Sequence, residues 1–151
     1  MILQLSVALA WGWLAAAGGS PNWPAARLVA DTTITVRTTG SALEFVPARV
    51  AVRHGTSVHL VYINQGTLPH NLVLVRDAND IDLLASAALD AAKSGYVPLE
   101  HRSRFITHTG LTTPGDSVAV EFVVPPPGEY LFVCLYPGHS SMMVGTFRSL
   151  R

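Results

Sequence analysis

At 151 residues the chain has room for one domain with a sizeable core. Ten basic and ten acidic side chains cancel, and charged residues make up only 13%, so no basic face for nucleic acid is on offer. A composition that is 49% hydrophobic excludes a disordered polymer.

Residues 1–26 carry no charged side chain, and Ile2 to Ala17 is mainly apolar, interrupted by Gln4, Ser6 and Gly12. The small residues of Ala15-Ala-Ala-Gly-Gly-Ser-Pro21 follow. This pattern suits the apolar region and cleavage site of a signal peptide, although no basic residue precedes it. The other reading is an uncleaved anchor, short against the roughly 20 apolar residues that a spanning helix needs. Either way the expected location is the periplasm or another extracytoplasmic space, with a membrane tether under the second reading. Residues 27–151 are then the folded domain.

From Thr33 to Arg76 the apolar residues recur with period two: Ile34 and Val36, Val50 and Val52, Val58, Leu60 and Tyr62, Leu72 and Leu74. That is strand periodicity. Gly40-Ser41, Arg53-His-Gly55 and Asn64-Gln-Gly66 interrupt it with turn residues. Several short strands at this spacing predict a sandwich or barrel.

Between Asp77 and Gly95 the period changes. Ile81, Leu84, Ala85, Ala88, Leu89 and Ala92 form one helical stripe. Asn79 or Asp80 can cap its start, and Gly95 suits its end. This predicts a helical flap packed on the sandwich. Strands resume near Arg104 to His108, and Val118, Val120, Phe122 and Val124 share one face of the next. Pro125-Pro-Pro-Gly128 ends that strand, because proline cannot donate to a ladder. Tyr130, Phe132 and Cys134 then share a face, and Met143 to Phe147 is the expected last strand.

The chemistry concentrates in Cys134-Leu-Tyr-Pro-Gly-His139-Ser-Ser-Met-Met143, where the chain's one cysteine meets an imidazole and a thioether across a Pro137-Gly138 turn. Taken alone, Cys134 is more simply a buried thiol that packs as a small hydrophobe. With His139 and Met143 behind it, metal ligation is the better reading. Soft sulfur with imidazole favours copper, and a trigonal Cys-His-His set with a weak axial Met is an electron-transfer arrangement. The second histidine has to come from elsewhere, and His70, followed by Asn71 before an apolar run, is the best candidate. Asn71 would tie the two ligand segments together. His54, His59, His101 and His108 lack such context. Zinc is the rival metal, but methionine is not among its usual ligands.

Cys134-x₄-His139-x₃-Met143 resembles the C-terminal ligand run of the cupredoxin (type 1 blue copper) family, in its azurin-like and auracyanin-like branch. His70-Asn71 is similar to that family's upstream His-Asn pair, and the likeness runs from about Thr33 to Phe147. It implies a Greek-key β-sandwich holding one copper ion. His70, Cys134 and His139 would be the main ligands, with Met143 as the axial one. Neighbours on a strand point to opposite faces, so only one of Met142 and Met143 can serve, and the family spacing selects Met143. Two departures stand out: with one cysteine no disulfide can form, and Pro69 stands where the family often has glycine.

The implied function is that of a one-electron carrier, with redox protein partners docking near His139 on an uncharged rim of Leu68, Pro69, Pro137 and Gly138. An enzyme is not expected. Copper oxidases and nitrite reductases need further histidines, typically beside the cysteine, and here Val133 and Leu135 flank it. A Cys134/His139 nucleophile pair would leave Met143 without a purpose. A copper chaperone or storage module is the alternative, but such proteins favour exposed, exchangeable ligands.

Overall fold

In a strand, alternate side chains point to opposite faces, and the alternating valines, leucines and aromatics of this chain use that rule to build two facing sheets. A computed structural model describes residues 30–151, so the expected signal or anchor segment, residues 1–26, lies outside the described residues. The strands are β1 (Thr32–Gly40), β2 (Arg49–Arg53), β3 (Ser57–Gly66), β4 (Val73–Val75), β5 (Phe105–His108), β6 (Ser117–Val123), β7 (Gly128–Val133) and β8 (Val144–Leu150). They form a three-stranded sheet ordered β1-β3-β6 and a five-stranded sheet ordered β2-β8-β7-β4-β5. β1 runs parallel to β3 and β2 parallel to β8, while the other pairings are antiparallel. These crossovers give the expected Greek-key β-sandwich.

The core between the sheets comprises Val36, Phe45, Val58, Leu60, Tyr62, Leu72, Leu74, Phe132 and Phe147, all buried. Phe45 packs edge-on against both Tyr62 and Phe132, at 6.1 and 5.1 Å between ring centroids. Gly145 of β8 is a glycine because of this core: a Cβ there would lie 2.2 Å from Cζ of Phe132.

The flap departs from the expected single helix. Only Ile81–Ala88 is α-helical (α1), with 3₁₀ turns at Ala78–Asp80, Ala92–Ser94 and Leu99–Arg104. The side chain of Asp77, rather than Asn79 or Asp80, accepts the capping bond, from the Asn79 N–H. Asp80 instead pairs with Arg104. After Ala88 the chain tightens to i→i−3 bonds, Leu89 N–H to Ser86 O, Asp90 N–H to Ala87 O and Ala91 N–H to Ala88 O. Three residues per turn instead of 3.6 shifts the phase of the stripe. Leu89 therefore swings out, 61% exposed, and Ala91 rather than Ala92 turns inward. What remains of the stripe, Leu84 and Ala88, covers a second cluster with Val73, Val75, Val97, Phe105, Val133 and Leu135. β4 is buried on both faces for this reason.

Candidate metal centre

The two segments that carry the expected ligands meet at one end of the sandwich. β7 delivers Cys134 one residue beyond its last paired residue, Val133, which stands opposite Val144 of β8. The connecting loop is a chain of tight turns. His139 N–H donates to Tyr136 O at 3.0 Å, and Met143 N–H returns to His139 O at 2.8 Å. Cys134 N–H closes the loop on Met143 O at 3.1 Å. Gly138 adopts φ +83°, a left-handed turn conformation that favours glycine. His70 precedes β4 and is fixed by a two-way bridge to Thr112, at 3.1 and 2.8 Å.

Three donor atoms converge. Cys134 Sγ lies 3.8 Å from His70 Nδ1 and 3.7 Å from His139 Nδ1, and the two Nδ1 atoms are 3.2 Å apart. A point about 2.1 Å from all three atoms exists at those separations, the length of an imidazole or thiolate bond to a divalent metal. All three residues are buried, with His70 2% and His139 6% exposed. Two ring nitrogens and a sulfur facing one another across this gap fit a cation better than they fit each other. The site therefore suits the one copper ion expected from the sequence.

Burial sets the protonation of the metal-free site. It pushes the Cys134 thiol up to about 11, against the backbone N–H groups of Asn71 and Tyr136 that favour the thiolate. Burial, helped by the neighbouring His139, holds His70 down at about 4. His139 is lowered by burial too. At neutral pH the set is two neutral imidazoles and a thiol, so a metal entering it displaces the thiol proton.

Asn71 stitches the site together. Its Oδ1 accepts from Leu135 N–H at 2.7 Å and its Nδ2 donates to Gly95 O at 2.8 Å, linking the His70 segment, the Cys134 segment and the flap. Asn64 was legible only as a turn breaker, yet it lies inside β3, fully buried. Its amide donates to Leu68 O and Thr112 O, each at 2.8 Å, and so braces both sides of His70. Thr38 donates to Asn64 Oδ1 at 2.9 Å, and Tyr62, 3.1 Å away, in turn donates to Thr38. A polar residue at an inward strand position was the available signal for this network.

Met143 is fully buried in the cluster that contains Cys134, whereas Met142 is 60% exposed. Both residues lie in the turn before β8, so it is the loop's turns, rather than strand alternation, that turn Met143 inward and Met142 out. The other histidines stay apart from the site. His54 Nδ1 is 2.9 Å from Pro125 O, His59 faces Glu121 at 3.5 Å, and His108 packs edge-on against Phe105. Around the site, Leu68 (42% exposed), Gly138 and Met142 are open to solvent, and residues 64–75 and 134–147 hold no Asp, Glu, Lys or Arg.

Comparison with known proteins agrees with this geometry. Residues 32–148 match the family of copper-binding proteins described as the plastocyanin/azurin family. The chain is similar to auracyanin-B of Chloroflexus aurantiacus, 34% identical over 110 residues, covering 71% of this chain and 47% of that protein. It is also similar to auracyanin-A of the same organism, 28% identical over 151 residues, covering 96% and 93%. The chain thus spans about half of the first relative's length and nearly all of the second's. The solved structure of auracyanin A, described as a "blue" copper protein, superposes with a TM-score of 0.74 at 29% identity, covering 78% of this chain and 98% of that one. The chain belongs to the plastocyanin/azurin family of copper-binding proteins.

Proposed function

We propose that this protein is a type 1 blue copper protein that carries single electrons between redox partners outside the cytoplasm. The observation that carries the proposal is the convergence of Cys134 Sγ, His70 Nδ1 and His139 Nδ1 within 4.8 Å of one another in a buried pocket. Those three residues would hold the ion, and Met143 would supply the weak axial thioether that tunes potential. Bound copper supplies the chemistry, a one-electron change between Cu(II) and Cu(I). The chain supplies rigidity. The sheets, the Asn71 bridge and the Asn64 brace hold the donors in place before any metal arrives, so little rearranges when the charge changes. Burial excludes water and any substrate from the ligand atoms.

Partners would dock near His139, on the uncharged surface of Leu68, Pro69, Pro137 and Gly138. Apolar, small contacts of this kind favour weak and transient association. Among the described residues no helix is long and apolar enough to cross a membrane. The tether reading therefore rests on the sequence of residues 1–26.

Visible absorption of the copper-loaded protein tests the assignment. An intense blue band, lost in Cys134→Ser while far-UV circular dichroism is kept, is the expected result. A serine variant that stays blue would remove Cys134 from the ligand set.

A further inference from the structure

Among the described residues Tyr96 alone, of those that are not glycine, has a positive φ, +62°. That region is unfavourable for a residue with a bulky side chain, and such a conformation persists only where the surroundings dictate it. They do so here. Gly95, at φ +69°, sits so close to Leu111 that a Cβ would lie 2.9 Å from its backbone nitrogen. Gly95 O accepts the Asn71 amide at 2.8 Å, and Tyr96 N–H donates to Ala91 O at 2.9 Å. The flap is thus pinned to the ligand segments at this turn.

The consequence is a row of rings. Tyr96 meets Tyr136 edge-on, with centroids 5.1 Å apart and planes at 74°. Tyr136 in turn stands against the His139 imidazole at 4.9 Å, tilted by 53°. His139 is the one converging histidine that sits on a loop of turns rather than beside a strand, and its ring packs against two others, His70 at 5.0 Å between centroids and Tyr136 at 4.9 Å. The torsion of a histidine ring is broad and weakly restricted by itself. Contacts on the ring restrict it, and of these the one from Tyr136 is the one that the flap reaches.

We propose that Tyr96 is a positioning residue for electron transfer, a strut from the flap that fixes Tyr136 and through it the plane of the His139 imidazole. Its consequence for electron transfer rests on the copper-carrier reading, but the strut belongs to the chain itself and exists without metal. Edge-on packing uses the ring, so Phe can replace Tyr96 and a residue without a ring cannot. Glycine accepts the left-handed backbone, so Tyr96→Gly removes the ring without adding strain.

The full chain is studied as parent, Tyr96→Phe and Tyr96→Gly, first without metal. Nuclear magnetic resonance of the His139 ring is expected to give one sharp set of signals for the parent and Tyr96→Phe, and broadened or multiple signals for Tyr96→Gly. With copper bound, self-exchange of electrons in Tyr96→Gly should slow by about two- to tenfold, the scale of one lost aromatic pair. Tyr96→Phe should keep the parent rate. In a Tyr136→Leu background, Tyr96→Gly should add nothing further, because the path is already cut. Should Tyr96→Gly fail to fold, Tyr96→Asn also tolerates the left-handed backbone. Sharp, parent-like His139 signals in the ringless variant would overturn the proposal. So would a Tyr96→Gly effect that adds in full to that of Tyr136→Leu. A chain that takes up no copper would instead sink the carrier reading, with the metal-free signals still deciding the strut.

Discussion

Cys134 and its two chain neighbours lodge in different cores. Cys134 packs with Phe132, Met143 and Phe147 between the sheets, whereas Val133 and Leu135 turn outward to the cluster under the flap. Leu72 and the strand β4 that follows it divide likewise, Leu72 and Leu74 inward, Val73 and Val75 to the flap. The inter-sheet cluster admits a thiol and a thioether and borders two imidazoles. The flap cluster is built of aliphatic and aromatic side chains, with His108 edge-on to Phe105 at its border. The difference assigns the two regions separate tasks. One core places the donors, and the other covers the outer face of the strands that carry them, so that both strands are held from two sides. A donor at the end of a strand buried on both faces has little freedom to move when its charge environment changes.

The sharpest test of this division is a pair of truncations. Phe132→Ala should cost about 3–5 kcal/mol, because it opens a cavity among Phe45, Tyr62 and Phe147 directly below Cys134. It should also disturb the blue band of the copper-loaded protein. Leu84→Ala in α1 removes a fully buried side chain and should cost about 2–4 kcal/mol, yet leave the band in place. Urea unfolding and visible spectra of both variants are the measurements. If Leu84→Ala altered the band as much as Phe132→Ala, the two cores would not be separable.

The same division explains what was legible in the sequence. Alternation along β3 and β7 has one solution for a half-buried strand, so Leu60, Tyr62, Phe132 and Cys134 fall on their face without further information. The candidate ligand run stood out because its residue types, spacing and turn occur within one loop, and two of its donors, Cys134 and His139, converge with His70. The flap was legible as helical but not in extent, since the change to 3₁₀ bonds after Ala88 depends on where the covered cluster ends. Asn64 and Thr112 were opaque for a related reason. Their roles are set by partners 48 residues apart in the chain, through the amide-to-carbonyl bond that braces His70. Met143 was named from its spacing, and its burial follows from the loop's turns rather than from strand alternation.

Asn71 is where the two regions are joined, and Asn71→Ala is the next largest expected effect. The substitution orphans the Leu135 N–H and the Gly95 carbonyl, which are otherwise satisfied at 2.7 and 2.8 Å. Leaving two such groups unpaired should cost about 2–3 kcal/mol. Copper should also dissociate faster to a chelator, because the Cys134 segment loses its link to the His70 segment. A variant with lower stability and unchanged copper release would show that the bridge serves the fold alone.

The smallest expected effect is a pH dependence that belongs to the inter-sheet side, where the imidazoles and the thiol shifted by burial converge. In the folded, metal-free chain His70 is held near 4 by burial first and by His139 second, against 6.5 when unfolded. His139 shifts in the same direction, through burial. As pH falls below 6.5 the unfolded chain takes up protons that the folded chain refuses. Stability is therefore complete above that value and is lost progressively toward pH 4. His70 alone should account for a loss of about 2 kcal/mol between pH 7 and pH 5, and His139 adds to it in the same direction. Cys134 acts at the other end of the scale, where a thiol raised to about 11 makes stability fall as pH climbs above 9. Bound metal competes with protons for the same nitrogens, so loading with copper should move the acid transition to lower pH. Urea midpoints of the metal-free protein at pH 7, 6 and 5 measure the acid limb, and the same series in His70→Phe should be flatter, with one of the two depressed imidazoles gone. A parent series with no slope over that range would mean that the converging histidines are not held neutral, and that the inter-sheet core does not exclude charge as its composition implies.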